Sequence, residues 1–444
     1  MPRAVVILGV ALTGCFSVYG QAPATSSPGQ NVSGAAAPLR LTLSDALARA
    51  RANSQTLLAA NTAALLAHED RVQARAALLP SLSGLSQFIY TEPNGTPSGV
   101  FVSNDGPHVY NDQLLVHGDI FAPSKRADYQ LSIAAEAVAQ AKAEVAARGL
   151  NATVVQLYYA MVVAQRKYVN AQQSLQEATQ FADLTQKQEQ GGEVAHADVV
   201  KAQIQLEQRR RDEQDAELAL EKARISFAVL LFPNFRQDYS VVDDLEQTVP
   251  LPAFPEVQTL AARNNPDIRA AEALVRQENF DVASARSALL PSLSFDYFFG
   301  INANEFAINN ADHMRNLGSA AQAQLTIPLW NWGAVRSRIR QAELRRRQAQ
   351  VDLGFTQREL LANLNSFYLE AGSASAQLAS LRHSLDLAQE SVRLTLLQYQ
   401  AGEATALEVV DAQSTLRQAR NAYDDGMVRY RVAIANLQTL TGAF

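Results

Sequence analysis

The heptapeptide ALLPSLS occurs twice, at residues 77–83 and 288–294, an offset of 211, with an arginine two places before each copy (Arg75 and Arg286). Seven residues repeated in register mark a duplicated unit, and a duplication constrains the fold more than any single motif. Two further anchors keep nearly the same spacing. LYYAMVVAQ from Leu157 is answered by FYLEAGSAS from Phe367, and GGEVAHADVVKAQIQL from Gly191 by AGEATALEVVDAQSTL from Ala401, each 210 positions later. The first copy spans 39–231 and the second 256–444. The proline-bearing stretch FPNFRQDYSVVDDLEQTVPLPAFP (232–255) connects them.

Each copy reads as helix, strand, loop, strand, long helix, tight turn, helix. Apolar positions alternate three and four apart through Leu360, Leu364, Phe367, Ala371, Ala374, Leu378, Leu381, Leu385, Ala388, Val392, Thr395 and Tyr399. They resume at Ala412, Leu416, Ala419, Tyr423, Gly426, Tyr430, Ala433, Leu437 and Leu440. In the first copy the series runs from Val154 to Ala182, with a slip of phase near 146–153. This is coiled-coil packing. Long helices are expected over 125–189, 194–231, 333–400 and 404–441. At about 1.5 Å per residue, the first is on the order of 100 Å long.

The proline of each LLPSLS is placed to end a helix, at Leu79 and Leu290. Beyond it the period changes from 3.6 to 2, giving expected strands at 81–90, 109–121, 292–301 and 317–329. The third strand sets Leu293, Phe295, Tyr297, Phe299 and Ile301 against Ser294 and Asp296. The fourth sets Ala321, Ala323, Leu325 and Ile327 against Gln322, Gln324 and Thr326. Strands of roughly ten residues with one apolar face suit an outer membrane. Four strands cannot close a barrel, and lipid tolerates no open edge. Oligomerisation is therefore expected. Two chains would give about eight strands, a barrel that side chains fill, and three about twelve, with an aqueous lumen.

Arg3 followed by AVVILGVAL reads as an export signal (1–20), and 21–38 as a flexible lead-in. The single cysteine, Cys15, lies in LTGC, which resembles a bacterial lipobox. It is either acylated or discarded by cleavage after Gly20. A net charge of −6 without a long basic block argues against nucleic acid as a partner. The RRR triplets at 209–211 and 345–347 sit inside helical patterns, on solvated or interhelical faces.

The two ALLPSLS copies, NNPDIRAAEA (264–273), IPLWNWGAVRSRI (327–339) and YQAGEATALEVVDAQSTL (399–416) together resemble the outer-membrane efflux family typified by TolC, over essentially Leu41 to Leu440. The resemblance implies a mainly α protein with a membrane β-barrel: a homotrimer whose 12-stranded barrel continues into a 12-helix coiled-coil tunnel across the periplasm. It implies outer-membrane lipid around the barrel, a periplasmic adaptor and an inner-membrane transporter as partners, and export of drugs, metals or proteins. By the same resemblance the tips that an adaptor grips are Gly191, Gly192, Val194, Gly402 and Thr405. The entrance constriction is Glu408 and Asp411, three apart on one helix face. A latch between helices pairs Tyr399 with Asp198. The family usually has aspartate where Glu408 stands, so Glu408 is expected to reach further into the lumen. Ala404 replaces the arginine of a second link.

The chain carries no HExxH, cysteine cluster, P-loop, GxGxxG or GxSxG, so neither enzyme, cofactor nor metal is expected. Two readings stand beside the small-molecule exit duct: the outer-membrane channel of a type I protein secretion system, and a soluble periplasmic coiled-coil scaffold.

Overall fold

A computed structural model describes residues 39–90, 108–247, 249–311 and 313–442. The export signal, Cys15, the lead-in and most of the first strand-connecting loop lie outside the described residues. In chain order the first half contains β1 (Leu39–Leu41), α1 (Leu43–Asn53), α2 (Gln55–Ala76), β2 (Ser81–Tyr90), β3 (His108–Phe121), α3 (Pro123–Gln190) and α4 (His196–Leu231). The second contains β4 (Tyr239–Val241), α5 (Phe254–Asn264), α6 (Pro266–Ser287), β5 (Ser292–Ala303), β6 (Leu317–Thr326), α7 (Ala334–Gln400) and α8 (Ala406–Thr441).

Both prolines of the repeated heptapeptide sit where helix gives way to strand, but the helices stop earlier than Leu79 and Leu290. α2 ends at Ala76 and α6 at Ser287. The three residues between tighten into turns closed by Leu79 N–H to the Ala76 carbonyl (3.0 Å) and Leu290 N–H to the Ser287 carbonyl (3.0 Å). Three-residue closure is how helix ends use up orphan carbonyls. β6 also ends early, at Thr326 and not 329. Pro328 has no N–H for the ladder, and Trp332 and Gly333 take left-handed backbone (φ 53° and 83°). α7 then starts.

Four strands form one antiparallel sheet in the order β2-β3-β5-β6. The join between the two sequence copies is the β3–β5 ladder, in which Val116 faces Tyr297 and Leu114 faces Phe299. One face gathers Leu82, Phe88, Leu114, Val116, Leu293, Phe295, Tyr297, Phe299 and Leu325. The other carries Gln113, His117, Ser294, Asp296, Gln322 and Gln324, with a His117–Asp296 contact of 2.7 Å. Gly118 leaves room for the Phe295 ring, which a Cβ there would meet at 2.5 Å. β2 and β6 are the edges, and among the described residues neither has an outer partner.

The helices hold the core that the sheet lacks. α3 and α7 are single helices of 68 and 67 residues, each on the order of 100 Å long at 1.5 Å per residue. Every position in the three-four series of α7 is buried or half-buried, from Leu360 through Tyr399. The phase slip in α3 has a plain cause. From Leu150 to Val162 the buried set doubles (Asn151, Val154, Val155, Tyr158, Tyr159, Met161) because α1, α4 and the connector cover α3 from more than one side. The connector is tied on by hydroxyls: Tyr158 donates to the Val242 carbonyl and Tyr430 to the Val249 carbonyl, both at 2.5 Å. Arg166 spans the same level, bonding Asp243 (2.5 Å) and Asp424 (3.1 Å).

Candidate functional site: the two helical tips

α3 and α4 reverse at 191–195, and α7 and α8 reverse at 401–405, at the same end of their hairpins. Both long helices finish with the same device. Glu193 N–H reaches the Gln188 carbonyl and Glu403 N–H the Gln398 carbonyl, both at 2.9 Å, around a left-handed Gly192 (φ 79°) and Gly402 (φ 77°). This Schellman ending needs a residue without a Cβ at the left-handed position. Gly191 has φ −77° and is not conformationally required to be glycine. Gly191, Gly192, Gly402 and Thr405 are exposed, whereas Val194 is half-buried.

Beneath the turns the hairpins meet in a small core of Phe181, Ala182, Ala202, Tyr399, Ala406 and Val409. Val194 and Ala404 pack against it, so the residue standing in the place of the family's arginine is an apolar part of the seam. The Tyr399 ring meets Phe181 edge-on at 5.2 Å. Its hydroxyl donates to Thr185 Oγ1 at 3.3 Å, and the Thr185 hydroxyl donates in turn to the Phe181 carbonyl at 2.9 Å. Thr185 is completely buried.

This corrects the expected latch. Tyr399 and Asp198 are not hydrogen-bonded. Asp198 accepts from Lys201 at 3.1 Å, one turn along α4, while the tyrosine reaches α3. Asp198 still acts on Tyr399 through its charge. Burial pushes the phenol above its ordinary value, the Thr185 bond opposes that, and the negative Asp198 adds to it.

The expected constriction is also altered. Glu408 and Asp411 lie on one exposed face of α8. The Glu408 carboxylate, however, turns back to accept the Thr405 N–H at 2.7 Å, while its own N–H points to Thr405 Oγ1 at 3.4 Å. Glu408 occupies the N3 position of a capping box. One of its carboxylate oxygens is thus engaged at the start of its own helix, whereas the exposed Asp411 carboxylate has no hydrogen-bond partner among the described residues. The signal was present in the sequence as T-x-x-E at 405–408. Thr185, in contrast, carried no signal beyond being another small residue on a core stripe. Other expectations for the arginine triplets divide: Arg209 is buried with its Nη1 on Asp212 (2.6 Å), while Arg210 stays exposed beside Glu207 (3.0 Å).

Among the described residues no group of three or more His, Cys, Asp or Glu is arranged to hold a metal. No described helix is long and apolar enough to cross a membrane, a statement that does not bear on strands.

The family described as "Outer membrane efflux protein" matches residues 46–231 and 257–443, one segment in each sequence copy. The alkaline protease secretion protein AprF of Pseudomonas aeruginosa is 24% identical over 385 residues, covering 84% of this chain and 78% of AprF. The cation efflux system protein CusC of Escherichia coli is 26% identical over 304 residues, covering 66% of this chain and 64% of CusC. Among solved structures, the CmeC outer membrane channel of Campylobacter jejuni superimposes with a TM-score of 0.79 at 18% identity, over 90% of this chain and 85% of that one. The likeness to CmeC concerns the fold.

Proposed function

The chain belongs to the outer membrane efflux protein family, and from that premise we propose that three copies assemble into one continuous conduit from periplasm to exterior. Outer-membrane placement and the role of exit duct follow from the family. The trimer, its partners and its cargo are our reading.

One observation carries it. A four-stranded sheet with an apolar outer face and two unpaired edges stands at the end of a rod about 100 Å long. Lipid demands that those edges be paired. Three copies would close twelve strands around a lumen, where two would give a barrel filled by side chains. The helices support the same assembly. Exposed apolar residues recur at heptad spacing on α2 (Leu58, Leu65, Val72), on α4 (Ile204, Leu218, Ile225) and on α7 (Leu344, Val351). Exposed apolar positions in register along a helix call for a neighbouring helix.

In this conduit the chain performs no chemistry and moves cargo passively, so energy comes from an inner-membrane transporter reached through a periplasmic adaptor. The exposed turns around Gly191, Gly192, Gly402 and Thr405, with Val194 as their half-buried support, are the surfaces an adaptor would take. Asp411 supplies the carboxylate ring at the entrance, and the Tyr399–Thr185 contact holds the α7–α8 hairpin against α3. Small molecules or metal ions are the cargo. A protein cargo is the second reading, favoured by the broad match to a protease secretion protein.

The test is the detergent-extracted protein, weighed intact and then placed in a planar bilayer. Three chains per particle and a cation-selective pore whose selectivity weakens in Asp411→Asn are expected. A stable, water-soluble single chain, or a particle with no conductance, overturns the reading.

A further inference from the structure

The most exposed large apolar side chains among the described residues are clustered at one place: Leu329 (87%), Trp330 (77%) and Trp332 (89%). They occupy the seven-residue link between β6 and α7, at the foot of the sheet where the helices begin. The outward set of β6, Ala321, Ala323 and Leu325, runs on through exposed Ile327 into this cluster. The tryptophans stand edge to face with ring centroids 5.8 Å apart, and no other described ring packs on them. At the opposite end of the sheet a second aromatic group, Phe88, Tyr90, His108 and Tyr110, stands exposed or half-buried. Nine residues separate Tyr90 from Ser81 at the foot, roughly 30 Å along a strand and about 20–25 Å once it is tilted, the height of a barrel's apolar band.

Immediately after the tryptophans in the chain, at the start of α7, Arg336 and Arg340 line one open recess with Gly333, Ser337, Ile339 and Glu343. The one acid there is taken, since Glu343 bonds Arg286 at 2.6 Å. Neither Arg336 nor Arg340 is in an ion pair among the described residues; Arg345, further along α7, pairs with Asp281. Two free guanidinium groups one helical turn apart, shortly after two indoles at the edge of an apolar face, match one chemistry: the phosphate of an anionic phospholipid whose chains lie against the strands. Arginine takes phosphate oxygens through a fixed fork of donors, and indole sits at the headgroup level.

We propose that Trp330, Trp332, Arg336 and Arg340 form a binding site for an anionic phospholipid headgroup of the periplasmic leaflet, seating each copy at a fixed depth. The site rests on outer-membrane placement and is independent of which cargo passes. A neighbouring copy is the competing occupant; continuity with the lipid-facing strand surface and two unpaired cations favour lipid.

These are the chain's only two tryptophans, so intrinsic fluorescence reads this site alone. The assembled protein is placed in phosphatidylcholine bilayers containing a small share of brominated phosphatidylglycerol, and quenching is compared with the same share of brominated phosphatidylcholine. Stronger quenching by the anionic lipid is expected, by about five-fold enrichment per arginine at low ionic strength and less in salt. R336Q/R340Q should bring the two lipids level while both still quench, and R336K/R340K should restore most of the preference. Trp330→Phe and Trp332→Phe separate the reporters. Emission unaffected by either bromolipid, whether the indoles lie in water or between copies, overturns the site. So does equal quenching by both lipids in the unaltered protein. The oligomer is weighed in parallel, which keeps failure of this site distinct from failure of assembly.

Discussion

The two helical tips stand at equivalent points of a duplicated sequence, 210 residues apart, and they solve the same problem differently. Gly192 and Gly402 are counterparts with the same left-handed backbone, and both long helices end in the same pattern of hydrogen bonds. What starts the returning helix differs. α8 has Thr405 and Glu408 in a reciprocal capping box, whereas α4 begins at Ala195 with no side-chain cap. The counterpart of buried Tyr399 is the half-buried Glu189, which pairs with the exposed His196 at 2.7 Å. The second tip is therefore fastened to the seam between hairpins by a buried aromatic ring and its hydrogen bond, whereas the turn of the first packs there through Val194 and spends its side-chain bond across its own turn. Duplication preserved the turn, where backbone geometry permits little else, and let the anchoring diverge.

The largest expected effect separates these anchors. Tyr399→Ala removes a ring packed on Phe181 and the bond to Thr185, and should cost the tip about 3–5 kcal/mol, the range for aromatic truncation in a core. Glu189→Ala removes an exposed contact to a histidine that is itself mostly in water and should be close to silent. Limited proteolysis of the assembled protein at 186–201 and 396–411 reads both. Equal protection of the two variants would mean that Tyr399 is not the fastening we describe. Thr185→Val sharpens the point, since it keeps the volume and deletes only the hydroxyl. It should raise conductance, whereas Asp198→Asn should change it less. The reverse order would restore Asp198 as the latch.

A smaller effect concerns the caps. Thr405→Ala should destabilise the start of α8 by about 1 kcal/mol and release Glu408 to face outward beside Asp411. Cation selectivity should then rise as helix stability falls. Ala195→Thr should do the opposite at the first tip, because Asp198 already stands at N3. This chain shows that threonine with aspartate suffices: Thr42 and Asp45 form such a box at α1. Hydrogen exchange of the first turns of α4 and α8 measures both changes, and an unprotected first turn of α4 in Ala195→Thr would break the comparison.

The duplication, the long helices, the strands and their apolar faces could be read from the sequence, because each depends on local spacing: three-four for a supercoiled stripe, two for a pleated strand. Gly192 and Gly402 were legible for the same reason. The side-chain partners at the tips were not. Whether Tyr399 meets Asp198 on α4 or Thr185 on α3 depends on the rotation of two hairpins about each other, which no local period encodes. Glu408 is a different kind of miss. Its capping partner lies three residues away at Thr405, and only the expectation of an acid facing a lumen hid it. β6 was overrun to 329 because alternation continues through Ile327 and Leu329, although Pro328 has already left the ladder. That overrun stretch opens the exposed link that carries the two tryptophans of the lipid site.

The smallest effect, nil at neutral pH, tests the electrostatic half of the same comparison. Tyr399 has a phenol held above its ordinary value by burial first, with the Asp198 charge adding to it against the Thr185 bond. A group whose value rises on folding keeps its proton longer in the native state. Its contribution is thus complete below the ordinary tyrosine value of about 10 and is lost as pH climbs through the raised one. Within that window each pH unit costs about 1.4 kcal/mol. Tyr158, Tyr159, Tyr168, Tyr239 and Tyr430 are raised by burial as well, so melting of the whole protein would mix six phenols. The difference in phenolate absorbance between the unaltered protein and Tyr399→Phe isolates one. Its midpoint should lie above the ordinary value and move down in Asp198→Asn, because removing a nearby negative charge makes ionisation easier. A midpoint indifferent to Asp198 would leave burial as the whole cause, and would remove the last role at this seam for the acid that the sequence had paired with Tyr399.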